Sequence, residues 1–123
     1  MTRFKGQGFN NTFKNARKGF RLVLKSEINL RIHVVIAFLA LVFAYILDFS
    51  ALELCMVFFA IALVIITEMV NTAIEFALDS IYHNRYSKMV GMAKDISAGA
   101  VMFASVISLI IGSILYGKHI LLL

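Results

Sequence analysis

The chain has 123 residues, of which 61% are hydrophobic and only 15% charged, with a mean hydropathy of +0.89. A water-soluble domain of this length could not bury so much apolar surface, so the composition excludes that class and indicates a small integral membrane protein. Because apolar spans follow the basic residues, the net charge of +5 indicates anchoring at a membrane surface, and we expect no nucleic-acid partner.

The N-terminal segment concentrates the positive charge, since eight of the twelve lysines and arginines lie in residues 1–31. From residue 10 to residue 26, apolar side chains recur on one side of a helix and basic side chains on the other. This pattern predicts an amphipathic helix in the membrane interface, with its basic face toward lipid phosphates. A simpler interpretation is that the segment only orients the first span, through the excess of positive charge on the cytoplasmic side.

Three apolar stretches predict three membrane-spanning helices, at about residues 29–47, 51–82 and 87–116. The second is longer than a bilayer core requires, so we expect about two of its turns to project into the cytoplasm. Lysines and arginines before the first span and between the last two place the N-terminus and that second loop on the cytoplasmic side. The predicted fold is an all-α, multi-pass membrane protein that forms a single domain over residues 1–123.

The last span carries a small residue at every seventh position, at Gly91, Ala98, Ser105 and Gly112. Small residues on one helical face let backbones approach closely in a bilayer, so we interpret them as a packing seam between helices or subunits. Three spans also make a thin bundle, in which acidic side chains are easier to shelter when several protomers share the interior. We therefore expect a homo-oligomer in the form of a closed ring.

A polar stripe on one face of the second span comprises Glu68, Asn71, Glu75 and Asp79. At about 100° and 1.5 Å per residue, the four fall within an arc of about 80° and span roughly 16 Å. Carboxylates at bilayer depth are costly and usually functional, and a lone carboxylate at Glu68 brings no structural gain. The stripe therefore predicts a site that binds cations, such as a metal ion with a bound phosphate.

Further charged residues map to the same end of the spans, with Glu27 before the first span and Lys94 and Asp95 at the start of the third. Glu27 and Glu75 could supply the one or two carboxylates that magnesium takes beside substrate phosphates, and Lys94 a point charge for phosphate. Glu68 could accept a proton from a substrate hydroxyl. Simpler interpretations remain open, because Lys94 and Asp95 could form an interfacial ion pair and Glu27 could be a solvated carboxylate.

Two segments resemble the signature of the prokaryotic diacylglycerol kinase and undecaprenol kinase family. They are residues 68–79, Glu-Met-Val-Asn-Thr-Ala-Ile-Glu-Phe-Ala-Leu-Asp, and residues 93–100, Ala-Lys-Asp-Ile-Ser-Ala-Gly-Ala. Residues 25–33, Lys-Ser-Glu-Ile-Asn-Leu-Arg-Ile-His, are more similar to the Gram-positive, undecaprenol-kinase branch. The resemblance covers nearly the whole chain. It implies a homotrimer in the bacterial plasma membrane, with three spans and a surface helix per protomer, that transfers the terminal phosphate of a nucleotide to a lipid hydroxyl.

The resemblance also implies roles for the carboxylates. Glu68 matches the family's catalytic base. Glu27 and Glu75 match carboxylates that coordinate the metal and contact ATP. The implied cofactors are Mg²⁺ and ATP, which serves as the phosphoryl donor.

Other positions match nucleotide contacts or polar residues that shape the family's site. Lys94 and Asp95 match contacts to the nucleotide phosphates, and Asn71 and Asp79 match site-shaping residues. Asn15 stands on the surface helix where the proteobacterial branch carries an aromatic residue that contacts the nucleotide. The resemblance thus assigns Asn15 to the ATP-binding side of the site.

We therefore expect a lipid kinase that uses MgATP, with undecaprenol as the first candidate substrate and diacylglycerol as the second. A proton or cation transporter would need acidic groups that continue across the membrane, but apart from Glu53 in the far loop they stop at Glu68. The hypothesis of a purely structural membrane subunit does not explain the polar stripe or Lys94.

Overall fold

A computed structural model of the chain describes residues 8–83, 85 and 87–122. The helices, in chain order, are α1 (Phe9–Ser26), α2 (Ile28–Ile46), α3 (Ala51–Tyr82) and α4 (Lys88–Leu121). Three of them, α2, α3 and α4, are long and apolar enough to cross a membrane. The prediction of an all-helical chain with three such helices is confirmed. Residues 1–7, 84, 86 and 123 of the predicted single domain lie outside the described residues.

Helix α1 begins at Phe9, next to the predicted start at residue 10, and ends because Glu27 adopts an extended backbone with φ −119° and ψ 112°. Helix α2 then starts at Ile28, so the two helices are separated by this one residue. Nearly all side chains of α1 are exposed, and the buried exception, Val23, lies at the end of α1 that leads into α2. The location of α1 in a membrane interface stays a prediction.

The turn between α2 and α3 defines the far end of the bundle, opposite the α1 end. The Ser50 N–H donates to Glu53 Oε1 (2.9 Å) and the Glu53 N–H donates to Ser50 Oγ (3.2 Å), so α3 begins with a capping box. On α4, His119 Nε2 lies 2.8 Å and Lys118 Nζ 3.5 Å from Glu53 Oε2. Helix α4 runs to Leu121 rather than to about residue 116, because these contacts hold its last turns against the α2–α3 turn.

Helix α3 contacts both α2 and α4, and most closely α4. The buried apolar side chains at the far end form one cluster, made by Ala44, Phe49, Val57 and Leu115. Two hydroxyls bond to the backbone of a neighbouring helix: Ser108 Oγ donates to the Ala60 carbonyl (2.9 Å) and the Tyr116 hydroxyl donates to the Ala40 carbonyl. Most large apolar side chains of the three long helices are exposed in the single chain, which is the surface expected to meet lipid or another protomer.

Candidate active site

Glu68 is buried in the half of α3 that leads toward the α1 end, with 7% of its surface exposed. His33 of α2 faces it, and His33 Nε2 lies 3.5 Å from Glu68 Oε1. The neighbouring threonines bond to the helix backbone instead: Thr72 Oγ1 donates to the Glu68 carbonyl (3.0 Å) and Thr67 Oγ1 to carbonyls one turn earlier. The Glu68 carboxylate therefore faces an imidazole in apolar surroundings, an arrangement suited to proton transfer.

Glu75 is oriented by two consecutive hydrogen bonds that lead to α4. Asn71 Nδ2 donates to Glu75 Oε1 (3.2 Å), and Ser97 Oγ of α4 donates to Asn71 Oδ1 (2.7 Å). Ser97 is buried, so its hydroxyl is fixed by packing as well as by this bond. Asn71 thus holds Glu75 through Oε1, and among the described residues no side chain bonds to the second carboxylate oxygen.

Asp79 and Lys94 form an ion pair between α3 and α4, with 2.7 Å between Lys94 Nζ and Asp79 Oδ1. The structure therefore pairs Lys94 with Asp79, and not with its sequence neighbour Asp95. The two side chains are 37% and 38% exposed, so the pair is open to solvent. Pairs of this kind contribute about 0.2–1 kcal/mol. An incoming phosphate can therefore compete with Asp79 for the Lys94 ammonium.

Three further predicted site residues lie elsewhere in the fold. Glu27 is half-buried at the break between α1 and α2, Asp95 is exposed on α4, and Asn15 is exposed on α1. Within residues 8–83, 85 and 87–122, neither Glu27 nor Asp95 forms a side-chain hydrogen bond or ion pair, so neither kind of bond joins Glu27 to Glu75.

The site carboxylates suit an ion that takes only one or two protein ligands better than an ion that needs a closed set of protein ligands. Among the described residues, no three His, Cys, Asp or Glu side chains are grouped closely enough to hold a metal ion. Magnesium keeps several waters, however, and is usually bound by one or two protein carboxylates together with substrate phosphates. Glu75 Oε2 and the Glu27 carboxylate are oxygen donors of that kind, and their role as magnesium ligands stays a prediction.

An apolar cavity of about 500 Å³ lies between α2, α3 and α4, and His33, which faces Glu68, lines one end of it. It begins at His33 and ends at Tyr116, whose hydroxyl already donates to a backbone carbonyl. Its volume lies in the range of roughly 300–1,000 Å³ that is usual for small-molecule sites. Ser105 and Gly112 line this cavity, so two members of the predicted packing seam border open space within the chain. His33 therefore lies at the boundary between this mainly apolar cavity and the Glu68 carboxylate.

Two residues with a place in this site were not predicted to have one. His33 was interpreted as an interfacial side chain, and no sequence pattern on one helix could show that it meets Glu68. Ser97 did carry a signal, because it follows Lys94 by three positions and therefore shares its face of α4. His119 had no predicted partner and lies against Glu53, far from the site.

Comparison with known proteins identifies the family. Residues 14–116 match the family model described as prokaryotic diacylglycerol kinase. The undecaprenol kinase of Bacillus subtilis is 32% identical over 108 residues, which cover 88% of this chain and 87% of that protein. The diacylglycerol kinase of Escherichia coli strain K12 is 34% identical over 102 residues, which cover 83% of each chain.

A diacylglycerol kinase of Synechocystis sp. is 30% identical over 104 residues, which cover 85% of this chain. The matched part spans only 59% of that longer protein. The names of the three relatives agree on a kinase and differ in the lipid. The chain therefore belongs to the prokaryotic diacylglycerol kinase family of lipid kinases.

Proposed function

We propose that this protein transfers the terminal phosphate of ATP to the hydroxyl of undecaprenol, with diacylglycerol as the second candidate. The observation that carries the proposal is the position of buried Glu68, beside His33 at one end of an apolar cavity. A lipid alcohol with its tail in this cavity would bring its hydroxyl to the Glu68 carboxylate. Glu75 and Lys94 lie farther along the same face toward the α1 end, where a nucleotide can approach from water.

In the proposed reaction, Glu68 accepts the proton of the lipid hydroxyl as the hydroxyl oxygen attacks the terminal phosphorus, and the bond to ADP breaks. Lys94 leaves Asp79 for the phosphate oxygens and offsets their negative charge. Asn71 holds Glu75 in one orientation. Magnesium, when bound, neutralises charge on the nucleotide phosphates.

The nucleotide side of the site would combine the remaining predicted residues. Glu27 and Glu75 would hold magnesium and contact ATP, while Asp95 and Asn15 would contact the nucleotide. Within one protomer Glu27 is not joined to Glu75, and most of the apolar surface is exposed. These observations support a homotrimer in which a second protomer completes the site. We place this trimer in the bacterial plasma membrane, with the N-terminus and the site on the cytoplasmic side.

The cavity supports undecaprenol over diacylglycerol, because a single space of about 500 Å³ suits one slender chain better than two acyl chains. It also argues against a proton or cation relay. Beyond His33 the cavity wall is mainly apolar, and the hydroxyls of Ser108 and Tyr116 are already bonded to backbone carbonyls.

The proposal is tested by incubating the purified protein with MgATP, labelled in the terminal phosphate, and a panel of lipid alcohols in matched micelles. We expect labelled undecaprenyl phosphate, with a higher kcat/KM for undecaprenol than for diacylglycerol. Glu68→Gln should lower kcat by about two to four orders of magnitude and leave MgATP binding intact. The absence of any labelled lipid would overturn the function, and a tenfold preference for diacylglycerol would select the second candidate.

A further inference from the structure

Two apolar cavities meet at Tyr116 of α4. The first, of about 500 Å³, begins at His33 beside Glu68. The second, of about 420 Å³, lies between α2 and the end of α4 and is open on its outer side, where Leu39, Phe43 and Ile120 are at least half exposed. The side chains that border only the second cavity are Leu39, Phe43, Leu47 and Ile120. Three residues border both cavities. Ile36 and Ala40 belong to α2, and Tyr116 belongs to α4.

The Tyr116 ring bridges α4 and α2 between these cavities, because its hydroxyl donates to the Ala40 carbonyl. The ring is also held from the side of the α2–α3 turn. Phe49 packs against it with 4.8 Å between ring centroids, and Phe49 stacks in turn on His119 at 4.4 Å. His119 is held by Glu53. Tyr116 is therefore a fixed partition and not a freely rotating side chain.

We propose that Tyr116 is a specificity-determining residue: its ring ends the space open to the lipid tail and excludes the tail from the second cavity. The proposal rests on the proposed function, which places the tail in the first cavity.

The dimensions show why this partition matters. His33 and Ala40 are separated by about 10 Å along α2, whereas the hydrocarbon core of a bilayer is about 30 Å thick. A short prenol can end within the first cavity. The much longer chain of undecaprenol must turn out into the bilayer when it reaches Tyr116. Without the ring it could continue into the second cavity and bury more apolar surface there, which would favour long tails over short ones.

A labelling experiment tests the partition without any turnover. Geranylgeraniol with a photoreactive diazirine at the end of its tail is bound to the Glu68→Gln protein and irradiated, and the labelled peptides are mapped. Adding Tyr116→Ala should raise the labelling of Leu47 and Ile120 severalfold. The matched control is Tyr45→Ala, which removes a tyrosine of α2 that is 84% exposed and borders neither cavity. It should leave the labelling unchanged.

A kinetic experiment tests the consequence for specificity. The ratio of kcat/KM for undecaprenol to that for farnesol should rise about tenfold in Tyr116→Ala and stay constant in Tyr45→Ala. Tyr116→Phe keeps the ring and should stay close to the wild-type ratio. If Tyr116→Ala does not fold, Tyr116→Leu removes the aromatic bridge while keeping an apolar side chain, and a smaller rise is expected.

The results separate this proposal from the proposed function. Unchanged labelling of Leu47 and Ile120, or an unchanged ratio in a folded variant without the ring, overturns the role of Tyr116 even if the wild-type protein is an active kinase. A wild-type protein that phosphorylates neither alcohol overturns the proposed function, and the labelling experiment still decides whether Tyr116 separates the cavities.

Discussion

Several polar side chains of this bundle have partners on neighbouring helices. Three such pairs of side chains lie at the site: His33 with Glu68, Ser97 with Asn71, and Lys94 with Asp79. In the part of the chain that the structure describes, no buried side-chain nitrogen or oxygen lacks a hydrogen-bond partner. A buried polar group left without one costs about 1–3 kcal/mol. The same pairs that stabilise the bundle therefore also set the directions in which the site carboxylates point.

Ser97→Ala tests whether orientation of Glu75 matters for nucleotide binding. The change removes the hydroxyl that donates to Asn71 and leaves the amide free to turn away from Glu75. Because a hydrogen bond contributes about 0.5–1.5 kcal/mol, we expect KM for MgATP to rise about two- to tenfold with little change in kcat. Ser80→Ala, at an exposed position of α3, is the control. A lower unfolding temperature with an unchanged KM would restrict Ser97 to a packing role.

At the scale of elements, successive parts of α4 have different roles in the site, the cavity wall and the far end of the bundle. Its first turns supply Lys94 and Ser97 to the site, and its middle supplies Ser105 and Gly112 to the cavity wall. Its last turns join the α2–α3 turn through Glu53. The small residues in its middle thus have two competing explanations. They either leave room for a lipid tail in the cavity or let another subunit pack closely against α4.

Gly112→Leu distinguishes these explanations. A β-carbon at Gly112 would meet no atom within 4 Å, and leucine is the better helix former, so the variant should fold. Its side chain would fill part of the cavity, and kcat/KM for undecaprenol should fall about tenfold. Gly117→Leu, on the same helix but bordering neither cavity, should retain activity. If Gly112→Leu instead disperses the oligomer, measured by native mass spectrometry, the seam explanation holds.

Glu53 stabilises the far end through two kinds of contact, which substitutions can separate. Glu53→Gln keeps a side chain able to accept the Ser50 N–H but removes the charge that faces Lys118 and His119. Glu53→Ala removes both the acceptor for the Ser50 N–H and the charge. We expect the unfolding temperature in detergent to fall slightly for Gln and further for Ala. Activity of the folded protein should be retained in both variants, and equal temperatures for the two would show that the hydrogen bond from the Ser50 N–H to the Glu53 side chain contributes nothing.

At the scale of the whole molecule, α2, α3 and α4 run up, down and up. The start of α2, the end of α3 and the start of α4 therefore lie at one end of the bundle. This alternation gathers Glu27, Glu75 and Lys94 at the α1 end, close to the excess of lysine and arginine. Under the proposed function and orientation, a nucleotide from the cytoplasm and a lipid from the bilayer would reach the same place from different directions.

Labelling of single cysteines tests this topology. Ala51→Cys, at the first residue of α3, and Arg85→Cys, between α3 and α4, are made in a Cys55→Ala background; both positions are exposed and lie at opposite ends of the bundle. Ala51 is preferable to Ser50, whose hydroxyl takes part in the capping box. In intact cells an impermeant maleimide should label the first variant, and the second only after permeabilisation. Labelling of both from the same side would contradict a hairpin of α2 and α3 across the membrane.

Much of the fold and part of the site could be predicted from local patterns. Long apolar stretches predicted the three membrane helices, because only a helix satisfies its own backbone hydrogen bonds in lipid. The spacing of Glu68, Asn71, Glu75 and Asp79 predicted one polar face, because helical periodicity determines which residues share a side. The end of α4 could not be located in this way, since it depends on contacts with Glu53 in a distant turn.

The sequence by itself thus determined the class of protein, the number of long helices and the composition of the polar stripe, all of which follow from periodicity within one segment. Only the tertiary structure decided that Lys94 pairs with Asp79, that His33 faces Glu68 and that Tyr116 separates two cavities. These pairings depend on how far each helix is rotated and shifted against its neighbour. That register is set by the packing of many side chains together, and no single segment of sequence contains it.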